Sequence, residues 1–503
     1  MITLDSFIVL KKLSVKNIQI EPKKVKATYC VEKQSGEIDT IELIYSYDAA
    51  YFNKKEATDV NLASMMLAQV ALNYGLFVET IEFDGLFDKT DQRFILDMME
   101  NTSREILTNK LLIKNEFLKP PFDSLQPEKK EHYTQSKVVF TNTNFAHLKL
   151  SKTTSNTDKN KYAILSSGGK DSLLTYGIIK EIGEPFPIFI NEAGRHWFTA
   201  VNAHRHFKSI EPNTAKPWCN SDRVFNWMIK HFSFIKENYA SIRADIYPIR
   251  LWTVAVFLFG VLPIVRKKNI GNILIGDEYD TTVTGNLNGI THYNGLYDQS
   301  KYFDNALTRY FIKKGWDIHQ FSILRSLSEL LIMKILIKRY PELQEHQVSC
   351  HAAHEVDGRM YPCGKCEKCR RIIGMLKALD EDPKRCGYTD QQIEQGLRAL
   401  ENKSVKQIGS DAAHLYHLML EKGLIHKNEF TTKLAKAYPE ITKLRFDSER
   451  SNLEDMPTYI RQPLFKIFEK YADGAVLRDQ KKWSEITIDE AFLTNKKYKL
   501  NEA

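Results

Sequence analysis

Six consecutive residues, Ser167-Gly168-Gly169-Lys170-Asp171-Ser172, bring together two glycines, a cation, a carboxylate and two hydroxyls. That set suits the chemistry of a polyphosphate. Paired glycines let the backbone approach an anion without an intervening Cβ. The N–H groups of a helix that starts there point at the anion, and the helix dipole favours negative charge at that end. Lys170 adds a point charge, and Asp171 offers a carboxylate to Mg²⁺. These two are the candidate catalytic residues, with Ser167 and Ser172 as hydroxyl contacts and Ser166 beside them. The spacing matches neither the Walker A loop nor the dinucleotide Gly-x-Gly-x-x-Gly.

A second chemical set lies downstream. Cys363, Cys366 and Cys369 have C-x-x-C-x-x-C spacing, and Cys350 precedes them. Four thiolates close a tetrahedral Zn²⁺ site and leave no open position, so the role is structural. Gly364 suits the tight knuckle, because an N–H can approach a sulfur there. Lys365, Lys368, Arg370 and Arg371 offset the thiolate charge. An iron–sulfur cluster is the competing reading, but the ferredoxin run adds a Cys-Pro that is missing here. His204, His206, His351 and His354 read as surface or loop residues rather than ligands.

The surrounding elements must position these residues. Tyr162–Ser166 reads as a strand and Leu173–Lys180 as a helix, which puts the glycines at a strand–helix turn. From about residue 159 to 376, strands alternate with helices, the signature of an α/β parallel sheet with helices on both faces. Phe186–Asn191 and Ile273–Gly276 are further strands. Ligands sit at the carboxyl ends of such strands. Ser166–Ser172, Asn191-Glu192 and Gly276–Asp280 are therefore expected around one crevice. Residues 1–158 read as an α+β region with a polar linker, with Leu62, Met65, Met66 and Val70 as an apolar helix stripe closed by Gly75. Residues 377–503 read as mostly helical, with a helix start at Gly387–Asp390.

The bulk numbers narrow the class. A chain of 503 residues has ample core for several domains. The net charge of +8 is spread along the chain, which admits an anionic ligand and gives no argument for nucleic acid. The start has no signal-peptide order of charge, apolar run and cleavage site. Leu251–Val265 is too short to span a bilayer and reads as a buried helix. Cysteines clustered at metal spacing fit a reducing cytoplasm.

The hexapeptide resembles the Ser-Gly-Gly-x-Asp-Ser signature of the PP-loop ATP pyrophosphatases, which split ATP between its α and β phosphates. Together with Ser349-Cys350 and Pro362-Cys363-Gly364-Lys365-Cys366-Glu367-Lys368-Cys369, it is similar to the QueC-type 7-cyano-7-deazaguanine synthases. The likeness covers residues 160–375 and implies a Rossmann-like (HUP) sheet, ATP, Mg²⁺ and a structural zinc. It places Arg250 and Gly276 beside the nucleotide, and Asp277 and Asp280 beside the substrate. Three positions depart from the family: Thr281–Asn286 replaces its substrate segment, Leu251 an asparagine and Glu329 a lysine, whose charge Arg325 or Lys334 could supply.

The resemblance implies adenylation of a carboxylate, 7-carboxy-7-deazaguanine, followed by attack of ammonia to give an amide and then a nitrile. A long QueC-like chain of this kind resembles proteins of bacterial anti-phage operons, in which a protein amine would accept the acyl group. A homodimer or an operon-encoded protein partner is consistent with this. A PP-loop tRNA-modifying enzyme, which would use Cys219 or an iron–sulfur cluster, is the first rival. A nucleotide-binding scaffold is the second. Thr291–Asp298, rich in aromatics, is expected to close over a flat heterocycle.

Overall fold

The computed structural model describes residues 2–151, 154–242, 247–293, 296–407 and 409–500. Three long antiparallel strands start the first sheet: β1 (Leu10–Glu21), β2 (Lys24–Lys33) and β3 (Ile38–Ser46). Val25, Ala27, Tyr29 and Val31 of β2 alternate onto the buried face, as the two-residue period of a strand dictates. After α1 (Ala57–Ala68), β4 (Val78–Asp84) joins β1 in parallel. After α2 (Lys89–Ile106), β5 (Lys137–Thr141) extends that edge. Asp88 caps α2 by accepting the Asp91 N–H at 2.9 Å.

The apolar stripe expected in α1 is not a stripe. Every residue from Val60 to Ala68 is buried, because both the sheet and a later helix cover it. Val70 belongs to a 3₁₀ turn, Gln69–Tyr74, and Gly75 follows with an ordinary φ of −58°.

The second sheet carries the hexapeptide. It begins with β6 (Asp158–Leu165), α3 (Lys170–Ile182) and β7 (Glu184–Ile188). There follow α4 (Arg195–Ile210), β8 (Trp218–Cys219), α5 (Ser221–Ile229), α6 (Val254–Lys267) and β9 (Ile270–Leu274). A small hairpin of β10 (Thr284–Leu287) and β11 (Ile290–Tyr293) precedes α7 (Lys301–Lys313) and β12 (His319–Phe321). The four parallel strands run in the order β12-β9-β6-β7, whereas β8 leaves this region and pairs with β3.

Both faces of the parallel sheet are covered. Tyr162 and Ile164 face a core shared with α3, whereas Ala163, Phe186 and Ile273 face a core shared with α6 and the first sheet. Tyr45 and Tyr47 hydroxyls donate to the Val256 and Gly260 carbonyls at 3.3 and 2.7 Å, which ties β3 to α6. One interior therefore runs from the N-terminal strands to the parallel sheet.

Beyond α8 (Glu329–Arg339) and α9 (Pro341–Gln344), a hairpin of β13 (His354–Val356) and β14 (Arg359–Tyr361) leads into α10 (Glu367–Ala378). The helix start expected at Gly387–Asp390 is α11 (Asp390–Leu400), with Thr389 in a capping box. Next come α12 (Gly409–Glu421) and α13 (Glu429–Leu434). The C-terminal region is less helical than its sequence suggests. Besides α14 (Thr458–Phe468) and α15 (Glu490–Thr494) it holds a three-stranded sheet of β15 (Leu444–Phe446), β16 (Ala475–Asp479) and β17 (Lys482–Ile486). Among the described residues, no helix is long and apolar enough to cross a membrane.

Candidate active site

From β6 the chain crosses to β7 on one side and later to β9 on the other, so the strand order reverses beside the end of β6. Crevices for ligands open at such switch points. A cavity of about 540 Å³ lies there, lined by Ser166, Ser167 and Gly169–Ser172 of the hexapeptide. Gly276 and Asp277 after β9, and Ile190 and Glu192 after β7, complete its walls. The three strand ends named from the sequence thus meet in one place. Asn191 pairs instead with Trp218 as a β-bridge.

The loop is held by its own backbone and by α4. Gly168 has φ +74°, and a Cβ there would lie 2.3 Å from the Thr199 carbonyl oxygen. The Thr199 hydroxyl donates to the Ser167 carbonyl at 2.9 Å, and the Val348 N–H donates to the Gly168 carbonyl at 3.2 Å. Ser166 Oγ donates to Ser172 Oγ at 3.1 Å. α3 then starts at Lys170 with Gly169 as its N-cap and no side chain capping it, which leaves the first-turn N–H groups for a ligand. Replacing Gly168 by alanine is expected to cost about 2 kcal/mol or more, read by denaturant unfolding. Wild-type stability in that variant would contradict the close packing of Gly168 on α4.

Lys170 is buried among three carboxylates: Asp171 at 2.7 Å, Glu278 at 3.3 Å and Glu329 at 3.3 Å. Burial disfavours its charge, but these carboxylates outweigh burial and hold the ammonium above the ordinary lysine range. Burial lifts Glu278 well above the glutamate range. Glu329 is also buried, yet Lys170 and Arg371 hold it below that range. Gly276 is needed beside them, since a Cβ there would approach Asp171 to 2.8 Å.

The other expected residues divide. Arg250 lines the cavity, paired with Asp222 at 2.8 Å and stacked 3.5 Å from the Tyr247 ring centroid. Asp277 also lines it, but is buried and committed to Arg325 at 3.5 Å, and burial lifts its pKa. Asp280 does not line the cavity. It is drawn toward Arg445, at 3.7 Å, and burial followed by Asp411 pushes it up to about 7. Neither cation offered in place of the family's lysine faces the cavity. Arg325 is held by Asp304 at 2.5 Å, and Lys334 pairs with Asp473 at 2.9 Å.

Several cavity residues carry no local signal in the sequence: Lys110, His196 and Tyr247, with Glu329 noticed only as a departure from the family's lysine and Lys368 and Arg371 only as counter-charges to the cysteines. They come from distant elements that only packing brings together. Tyr247 Oη lies 2.7 Å from His196 Nε2, and burial, His351 and Arg250 depress His196 to about 3, so its imidazole is neutral. His351 lines the cavity 4.6 Å from the His196 ring, rather than lying on the surface. Glu192 Oε2 is buried with no hydrogen-bond partner, while Oε1 accepts the Trp197 N–H at 3.2 Å.

The expected closing segment Thr291–Asp298 is largely pinned. Asn294 and Gly295 lie outside the described residues. Asp298 Oδ2 accepts the N–H groups of Thr253, Val254 and Ala255 at 3.0, 2.8 and 3.2 Å, and so caps α6. Tyr297 is packed in the core.

Cys350, Cys363, Cys366 and Cys369 come together, with all ligand sulfurs within 4.8 Å of one another. Individual Sγ separations are 3.5 Å for Cys366–Cys369, 3.6 Å for Cys366–Cys350 and 3.8 Å for Cys363–Cys369. Four sulfurs about 2.3 Å from one tetrahedral ion stand about 3.8 Å apart, so the group fits a single ion such as zinc. Gly364 has φ +74°, and the N–H that reaches Cys363 Sγ, at 3.5 Å, is that of Lys365. The group also positions the cavity: Val348, Ser349 and His351 flank Cys350, and Lys368 and Arg371 follow Cys366 on α10. Cys219 is buried in β8 outside the cavity, and burial pushes its thiol up to about 12.

Comparison with protein-family models, with curated proteins and with solved structures returned no match for this chain.

Proposed function

We propose that this protein is an ATP pyrophosphatase of the PP-loop type that adenylates a carboxylate, 7-carboxy-7-deazaguanine, on a Rossmann-like (HUP) sheet. One observation carries the reading. The uncapped N-terminus of α3 and Lys170 share a cavity with Gly276 at the switch point of a parallel sheet. Phosphate belongs at such an end, where N–H groups and the dipole converge.

In this reading a substrate carboxylate oxygen attacks the α-phosphorus of ATP. The bond from the α-phosphorus to the bridging oxygen breaks, and pyrophosphate leaves with the electron pair. The N–H groups of Gly169 to Ser172, with the Lys170 ammonium, would face the charge that builds on the leaving group. Mg²⁺ brought by the nucleotide would bind at Asp171 and neutralise phosphate charge. The nitrogen of ammonia or an amine then attacks the acyl carbon, AMP departs, and the nitrogen loses a proton. The four cysteines would hold zinc, which fastens the wall bearing Lys368 and Arg371. The tRNA-modifying reading has less support, because no cysteine lines the cavity among the described residues.

Purified protein with Mg²⁺, α-labelled ATP, 7-carboxy-7-deazaguanine and ammonium is expected to release AMP in proportion to the deazaguanine consumed, followed by mass spectrometry. ADP in place of AMP, or AMP independent of any carboxylate, would overturn the assignment.

A further inference from the structure

The N-terminal region sends into the cavity a cation, Lys110, that no carboxylate among the described residues answers. Lys110 belongs to a π-helical turn, Leu107–Leu111, which follows α2. Such turns insert an extra residue and re-aim the side chains after it. Lys110 is 5% exposed and lines the cavity. Its ammonium donates to the Tyr247 carbonyl at 2.9 Å. Asn115 Nδ2 donates to the carbonyls of Lys110 and Pro248 at 2.8 and 2.9 Å, which fastens the turn to the wall that bears Arg250.

Among the described residues, the charges that act on Lys110 are the cations Arg250 and Lys406, and no carboxylate pairs with it. Burial first, and then those cations, bring its pKa down to about 8. Other buried cations of the cavity have an acid: Lys170 has three, Arg250 has Asp222, and Arg371 has Glu329. An ammonium has three donors, and one is spent here. A buried charge left without a partner is costly unless a ligand supplies the opposite charge.

We propose that Lys110 binds an oxyanion of the ligand held in this cavity, a phosphate of ATP or the carboxylate of the acyl substrate. The identity of those two ligands rests on the adenylation reading. The role makes the N-terminal region part of the site, reaching across from α2 to complete a cavity built on the other sheet. A charge-assisted hydrogen bond of this kind is worth about 10- to 100-fold in affinity.

The test measures dissociation constants of Mg-ATP, inorganic pyrophosphate and 7-carboxy-7-deazaguanine for the full-length wild type, Lys110→Met and Lys110→Arg. Lys110→Met is expected to weaken at least one ligand about 10- to 100-fold, with Lys110→Arg restoring most of the loss. Weakening of ATP and pyrophosphate together assigns Lys110 to phosphate, and weakening of the deazaguanine alone assigns it to the carboxylate. Three unchanged constants in Lys110→Met, or equal losses in both variants, would overturn the proposal. AMP formation by the wild type is scored separately. Pyrophosphate binding that depends on Lys110 without AMP formation would sink the adenylation reading and leave the anion role standing. A wild type that binds none of the three overturns both.

Discussion

Lys170→Met is expected to lower AMP formation by about 1,000-fold and to destabilise the fold by about 3–5 kcal/mol. In the proposed reaction, the first effect follows from losing the cation that faces the departing pyrophosphate. The second follows from the three carboxylates around Lys170, of which Glu329 is almost fully buried and Glu278 is partly so. Without the ammonium, Arg371 at 3.5 Å from Glu329 is the remaining cation paired with that group. The pH dependence has a definite sign. In the wild type, Glu329 lies below the ordinary glutamate range because Lys170 and Arg371 outweigh burial. Its contribution is therefore present above the unfolded glutamate pKa and is lost as pH falls through the lowered value. In the variant the same acids bind protons more tightly folded than unfolded, so protonation relieves them. The stability gap between the two proteins should shrink from about pH 8 to about pH 5, measured by denaturant unfolding at both. A gap that does not change with pH would sink the ion-pair account. A variant that keeps a tenth of wild-type turnover would remove Lys170 from the chemistry.

Loss of the cysteine-bound ion is expected to be nearly as severe. Purified protein should be colourless and carry about one zinc per chain, measured by elemental analysis. Cys366→Ser should lose that metal and cost about 4 kcal/mol or more. The damage should not stay local. Cys366 is the N-cap of α10, and Lys368 and Arg371 on the same helix line the cavity. Cys350 sits between Ser349 and His351 of the facing wall. Metal removal by a chelator should thus lower AMP formation together with α10 protection in hydrogen exchange. Stoichiometric iron and inorganic sulfide, or full activity in a metal-free protein, would contradict this.

How much of this could be read from the chain alone depends on how far each feature reaches in sequence. Ser166–Ser172 and the cysteine knuckle were legible because their geometry is set over a few residues, by glycine conformation and by thiolate spacing. The crevice was legible because strand ends in a parallel sheet converge by rule. Lys110, Glu329 and the Tyr247–His196 contact were not, since each depends on which distant helix packs over the cavity. Asp280 shows the same limit from the other side. It follows the right strand, yet it pairs with Arg445 of β15, far along the chain, and does not line the cavity. The strands of the C-terminal sheet escaped notice because runs of three to five residues carry too little period to separate from helix. In Thr291–Asp298 the loop-like composition hid a cap, because nothing local says that Asp298 serves α6.

The two-residue strand β8 has a consequence for how this chain can be divided. Trp218 and Cys219, drawn from the loops of the parallel-sheet region, form the last rung on the far edge of the N-terminal sheet. The polar stretch before β6 thus joins two sheets that share a strand pairing and a hydrophobic interior. A cut there would bare the apolar face that the parallel sheet and α6 share with the N-terminal sheet, and would remove the two-residue rung beside Tyr45 and Ser46. The two pieces should therefore fare poorly apart, each exposing to water the surface that the other now covers.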